Sequence, residues 1–227
     1  MSRVKLFWKI TMVQNAEQAR RPRGRPPIRS DEETLGLLIA AACAEFEVNG
    51  YGGTSMAAVA DRAGLSTKTV YRLIPTKADL LTRVVSVRIG QFMLEVDPAA
   101  LDALPASEAL ERILIAYGTL TLGASSIAMH RLVICESDRF PEVAAAFYDS
   151  AIVRANEAIT GWLTRQCERG VIRLEDPQMA AGMLRGMMSM EPQRAVMLCQ
   201  RAIPSEEEIA ARAKACARLF LNGCAAR

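Results

Sequence analysis

The sequence predicts an all-α chain: an N-terminal three-helix unit, a connecting helix and a larger helical body. Three observations point to helices throughout. Apolar residues recur at three- and four-residue spacing from about residue 30 onward. Strand-like alternation is absent. Capping residues, glycines and prolines fall at helix-length intervals.

Each element has a local reason. Ser30-Asp-Glu-Glu33 reads as a capping box, in which the hydroxyl takes an orphan amide and the glutamate reaches back. Leu35, Leu38, Ile39, Ala42 and Phe46 then make one apolar face, and Asn49-Gly50 ends that helix. A short helix over about 55–63 follows, with Thr54 as its cap. Gly64 breaks it, Ser66 caps a second short helix through Leu73, and Pro75 closes that one. Thr76-Lys-Ala-Asp79 starts a long connecting helix to about residue 96, with Leu80, Leu81, Val84, Val87 and Phe92 apolar. Beyond Asp97-Pro98, helices are expected over about 107–122, 125–138, 141–169, 177–198 and 205–223. Their breaks are Pro105, Phe140-Pro141, Gly170, Asp176-Pro177 and Pro204, and Ser205-Glu-Glu-Glu208 is a further capping box. Glu136, Asp138 and Arg139 read as a capped helix end rather than a catalytic set.

Composition narrows the function. The 227 residues are 51% hydrophobic, enough for a substantial core, and the net charge is +3. Residues 1–97 hold 14 Lys/Arg against 10 Asp/Glu, while residues 98–227 hold 14 against 15. The basic excess therefore sits in the N-terminal part, as suits a part that meets an anion. Arg20, Arg21, Arg23, Arg25 and Arg29 crowd residues 1–29, which read as a disordered basic arm. Six scattered cysteines without a CxxC pair, and a single histidine, make a metal site unexpected; no cofactor is expected either. The thiols are expected to be free in a reducing, cytoplasmic setting. No apolar run reaches the ~18–20 residues of a membrane span, and the start lacks a signal-peptide cleavage pattern. Met12 is a second candidate start. No Ser/His/Asp set, glycine-rich phosphate loop or paired-carboxylate motif is readable, so an enzyme is not expected.

The informative stretch is TSMAAVADRAGLSTKTVYRLIPTKADLL, Thr54–Leu81. Ala60 and Ala63 are small enough for two short helices to cross closely, and Gly64 supplies the turn. Val59, Leu65 and Val70 can fill the core beneath. That is a helix-turn-helix, whose second helix enters the major groove. Thr67, Lys68, Thr69 and Arg72 on that helix suit base edges and phosphates.

This stretch resembles the TetR family of bacterial transcriptional regulators. The match runs through Thr54, Ser55, Val59, Ala60, Ala63, Gly64, Leu65, Ser66, Thr69, Val70, Tyr71, Lys77 and Leu80. The resemblance implies a phosphate at the helix start near Thr54 and Ser55, and groove contacts from Thr67, Lys68, Thr69 and Arg72. It also implies backbone phosphates on Tyr71 and Lys77. Leu73 and Ile74 depart from common aromatics, and Ala57 and Ala58 from a common polar pair, which shifts weight to Lys68, Arg72 and the arm. Arg23-Gly24-Arg25-Pro26 in that arm resembles an AT-hook core, a minor-groove reader. Domains are accordingly expected at 1–29, 30–76 and 77–227.

The family resemblance further implies a body that dimerises and holds a small-molecule effector. Residues 131–149 are similar to a segment of one TetR-like subgroup. Two stripes are interface candidates: Val143, Phe147, Ala151, Ala155, Ile159 and Leu163, and Met179, Met183, Met187 and Met190. Either can instead pack inside one subunit. Pocket candidates are Tyr117, Met129, His130 and Trp162, with Met183 and Met187 if the thioethers line it. The reading is a homodimeric, ligand-responsive regulator, a repressor on a double-stranded palindromic operator. The alternatives are an architectural DNA-binding protein and, more remotely, a helical enzyme.

Overall fold

The structure, a computed structural model, describes residues 29–224. Residues 31–224 belong to one compact unit. Arg23 and Arg25 of the expected arm lie outside the described residues. Every regular element among the described residues is helical.

Helix ends follow local chemistry. α1 (Asp31–Gly53) leaves helical geometry at Gly50, with φ 67° and ψ 178°, so the expected stop is a kink inside a longer element. Glycine adopts that φ without a Cβ penalty. α2 (Met56–Ala63) is capped by Ser55, whose hydroxyl accepts from the Ala58 amide. The expected cap, Thr54, is buried and donates its hydroxyl to the Gly50 carbonyl at 2.7 Å. The kink has taken Thr54, and the next hydroxyl reaches the free amides instead. After left-handed Gly64, α3 (Thr67–Leu73) is capped by Ser66. α4 (Lys77–Glu95) is capped by Thr76, whose hydroxyl accepts from the Asp79 amide. On α4 the buried row takes Val85, and Val87 is 43% exposed.

A single turn not foreseen, α5 (Pro98–Asp102), follows, capped by Asp97. α6 (Ala106–Leu122) and α7 (Ala124–Glu136) fall close to their expected spans. The next two long helices each contain a π-helical stretch. α8 (Pro141–Phe147) passes through Tyr148–Val153 into α9 (Arg154–Glu168). α10 (Pro177–Arg185) passes through Gly186–Met190 into α11 (Glu191–Met197). The apolar spacing accounts for both. Val143, Phe147, Ala151, Ala155, Ile159 and Leu163 recur every four residues, as do Ala180, Leu184, Met188, Pro192 and Val196. In a 3.6-residue turn a four-residue stride drifts by about 40° per step. A wider π turn takes up that drift and keeps the row inward. α12 (Glu206–Cys224) starts with the expected capping box: Ser205 N donates to Glu208 Oε2 at 2.8 Å, and Glu208 N to Ser205 Oγ at 3.2 Å.

Buried side chains form two clusters. One gathers Leu38, Phe46, Val59, Val70 and Leu80 with Met129, Val133, Val143 and Phe147. The other gathers Phe92, Leu110, Leu114, Trp162, Leu184 and Ile209. α4 belongs to both: Leu80 to Val85 pack in the first, Ile89 onward in the second. The three-helix head therefore does not close on its own core. It completes that core with α7 and α8.

Candidate functional site

α3 carries the residues expected to read DNA. Thr67 and Lys68 are exposed, Tyr71 is exposed, and Thr69 is half-buried at the edge. The Thr69 hydroxyl lies 2.8 Å from Ser66 Oγ and is shared with the cap. Arg72 is already bound. Its Nη1 donates to Asp31 Oδ2 at 2.9 Å and its Nη2 to Asp31 Oδ1 at 2.7 Å. The hydrogen bonds from Arg72 hold the Asp31 carboxyl below its usual range. Ser55 is exposed and caps α2, whereas Thr54 is buried in the kink, so its hydroxyl offers nothing to a phosphate.

Lys77 turns inward. Its ammonium donates to the Tyr51 carbonyl at 2.6 Å and the Thr54 carbonyl at 2.9 Å. It also sits 4.4 Å from the centre of the Tyr51 ring. Burial pushes its pKa down, and nearby Glu136 and Glu142 oppose that. Two of its three donors are thus spent on the kink, not held open for a phosphate. Glu136 works at the same joint, accepting from the Gly52 amide at 3.0 Å. Tyr51 packs edge-on against Phe140 at 5.2 Å. These contacts tie the head to the α7–α8 corner. The sequence suggested only a capped helix end there.

A cavity of about 70 Å³ lies where the two clusters meet. Val85 and Ile89 of α4 wall it, with Phe147 from one cluster and Ala155 from the other. Three expected pocket residues line it: Tyr117, Met129 and His130. Trp162 does not; it is 0% exposed inside the body core. Met183 is exposed, and Met187 packs half-buried against that core, so neither thioether lines the cavity.

Of the cavity's polar groups, Arg88, Ser126 and Arg185 were not foreseen. Arg88 Nη1 donates to Ser126 Oγ at 2.9 Å, and that hydroxyl donates to the Leu120 carbonyl. His130 Nδ1 lies 2.7 Å from the Ser126 carbonyl. A carbonyl only accepts, so Nδ1 carries the proton and Nε2 faces the Gln193 amide at 3.4 Å as an acceptor. Burial lowers the His130 pKa; the Ser126 carbonyl opposes this and Arg88 adds to it. Arg185 also lines the cavity, with Nε buried and unpartnered. The readable signal was a cation on a buried face, since Arg88 stands four residues from Val84 and three from Val85, and Arg185 four from Ala181, all buried.

The two interface stripes separate. Val143, Phe147, Ala155, Ile159 and Leu163 are buried inside the subunit, and Phe147, Ala151 and Ala155 wall the cavity. A face already covered has no area left for a partner, so this stripe is withdrawn as an interface. Met179, Met183 and Met190 remain 58%, 59% and 55% exposed, while Met187 packs inward.

Residues 108–224 match the family model of the AefR-like transcriptional repressor C-terminal domain. Residues 38–84 match that of bacterial regulatory proteins of the tetR family. No curated protein matches the chain. A TetR-family transcriptional regulator from Mesorhizobium loti MAFF303099 is similar in structure, at 27% identity and a TM-score of 0.74, covering 87% of this chain and 99% of its own. The flavonoid-responsive regulator FrrA is similar at 26% identity and a TM-score of 0.69, covering 86% and 99%. FadR from Bacillus subtilis, solved in complex with stearoyl-CoA, shares the fold at 19% identity and a TM-score of 0.63, covering 83% and 98%. Among the described residues no single helix is long and apolar enough to cross a membrane. With a helix-turn-helix in the matched head and a helical body in the matched C-terminal half, the chain belongs to the TetR family of DNA-binding transcriptional regulators.

Proposed function

We propose that this protein is a cytoplasmic, homodimeric repressor that binds a palindromic operator and is released by a small molecule entering the cavity. The observation that carries the reading is the place of the cavity. It opens at the seam of the two cores, and α4, which runs on from the helix-turn-helix, forms one wall. An occupant that parts the seam moves α4, and with it the head. It releases DNA only if it favours the non-binding arrangement.

Thr67, Lys68, Thr69, Tyr71 and Arg72 are the proposed DNA contacts, with Ser55 at the start of α2 and Arg23 and Arg25 in the arm. Met179, Met183 and Met190 are the proposed seam between copies. Residues 1–29, 30–76 and 77–227 are the proposed functional divisions. The repressor description of the matched C-terminal family supports the sign of regulation. FrrA is named as flavonoid-responsive and FadR was solved with stearoyl-CoA, which supports a body that takes small molecules. A purely architectural DNA-binding protein would need no cavity.

The test is selection of bound sequences from random duplexes, then displacement of the best duplex by small molecules. A near-palindromic site with half-sites about 34–36 Å apart, or somewhat more, is expected. Failure to enrich any sequence would overturn the reading.

A further inference from the structure

The charge of the cavity wall is one-sided. Arg88 and Arg185 line it, and no aspartate or glutamate does. Arg88 has only the neutral Ser126 hydroxyl as its hydrogen-bond acceptor. The Arg185 side chain has no hydrogen-bond or ion-pair partner among the described residues, and its Nε is buried. A guanidinium cannot shed its charge by losing a proton. An unpaired N–H of this kind stays costly until an acceptor arrives. The rest of the wall is largely apolar, with Tyr117 and Phe147 as its aromatic members. His130 donates from Nδ1 to the Ser126 carbonyl, and an imidazole, neutral or protonated, supplies no negative charge to the arginines.

We propose that the cavity takes a small organic carboxylate, with Arg185 and Arg88 holding the carboxyl group and the aromatic and aliphatic wall covering a short apolar body. This rests on the effector reading above and names the class of effector. Guanidinium donors match a planar carboxylate in pairs. The largely apolar remainder of the wall suits an anion that carries an apolar body, which inorganic phosphate lacks. The volume, about 70 Å³, is roughly half the ~150 Å³ of an engineered cavity that admits benzene, so the body is short. Arg88 lies on α4, so a carboxylate that draws it from Ser126 acts directly on the helix leading to the head.

The experiment uses the full chain, calorimetry and thermal melts. The probes are acetate, butyrate, hexanoate and benzoate, each beside the amide of the same skeleton, with inorganic phosphate as a further arm. One carboxylate is expected to bind saturably, at least about tenfold tighter than its amide, and Arg185→Gln and Arg88→Gln should each erase that preference. Arg185→Lys, which keeps the charge, should retain part of it. Equal binding of acid and amide, preference for phosphate, or an unchanged preference in Arg185→Gln would overturn the proposal. So would an Arg185→Gln protein that changes only its oligomeric state, since Arg185 would then pair with a second copy. Operator binding is measured separately without probes. A chain that binds duplex but no carboxylate loses only the ligand class; one that binds no duplex loses the regulatory reading.

Discussion

Asp31, the first residue of α1, holds Arg72 of α3, the second helix of the helix-turn-helix, through two parallel hydrogen bonds of 2.7 and 2.9 Å. Both side chains are well exposed, so the pair matters more for where the guanidinium points than for stability. A carboxylate that grips an arginine proposed to contact DNA competes with DNA for it. Arg72→Ala is expected to weaken operator binding roughly ten- to a hundredfold, and Lys68→Ala similarly if it reads a base. Asp31→Asn is expected to act oppositely, raising duplex affinity by freeing the cation. Gel-shift titrations of the three variants measure this; unchanged affinity in all three removes α3's cations from the interface.

Lys77 separates two roles. As a pin on the Tyr51 and Thr54 carbonyls, it should lose about 1–3 kcal/mol of stability as Lys77→Gln, read by urea unfolding. The salt dependence of DNA binding should stay as in the wild type. Unchanged stability with a salt slope reduced by about one would assign it to a phosphate instead.

Gly118 is fixed by a close crossing. A Cβ there would stand 2.5 Å from Met188 Cε and 2.8 Å from Ile209 Cγ2, between α6, the second π stretch and α12. Gly118→Ala is expected to cost about 1–3 kcal/mol through overpacking. Thermal melts check it, and an unchanged midpoint would mean those side chains swing aside freely.

The exposed methionines give a test of assembly. Met179→Glu with Met183→Glu places two charges in the row left uncovered on α10. Sedimentation should then show a monomer that keeps its helical circular dichroism. An intact dimer would move the interface to another face.

His130 predicts a pH dependence. Its folded pKa lies below the usual 6.5 because burial disfavours the charged ring. As pH falls through the unfolded value, the unfolded chain takes up the proton first. The stability tied to the neutral ring is therefore complete above that value and is lost as pH falls toward the folded one. It is the chain's one histidine, so His130→Gln should flatten the slope of unfolding free energy between about pH 7.5 and 5.5. Parallel slopes in both proteins would clear His130 of the effect.

What could be read along the chain is what neighbours in sequence control. The caps at Ser66, Thr76 and Ser205 and the turn at Gly64 appeared where expected, because each satisfies amides within three residues or needs one permissive backbone position. The helix-turn-helix was legible for the same reason: its small residues, turn glycine and polar face lie within one short stretch. Periodicity also placed the long helices. It did not show their π stretches, although the four-residue stride was in plain view, because a row of apolar residues does not say which face is drawn inward. That choice comes from packing. Val143 to Leu163 meet the subunit's own cores, while Met179 and Met183 are left outside. The inward turn of Lys77 needs the Gly50 kink, and the joint beneath it needs Glu136, 84 residues from Gly52. The cavity needs Arg88 and Arg185 from helices far apart in the chain to share one wall. Pattern and capping are short-range, so sequence carries them; charge left unpaired inside a fold exists only once distant helices have closed around it.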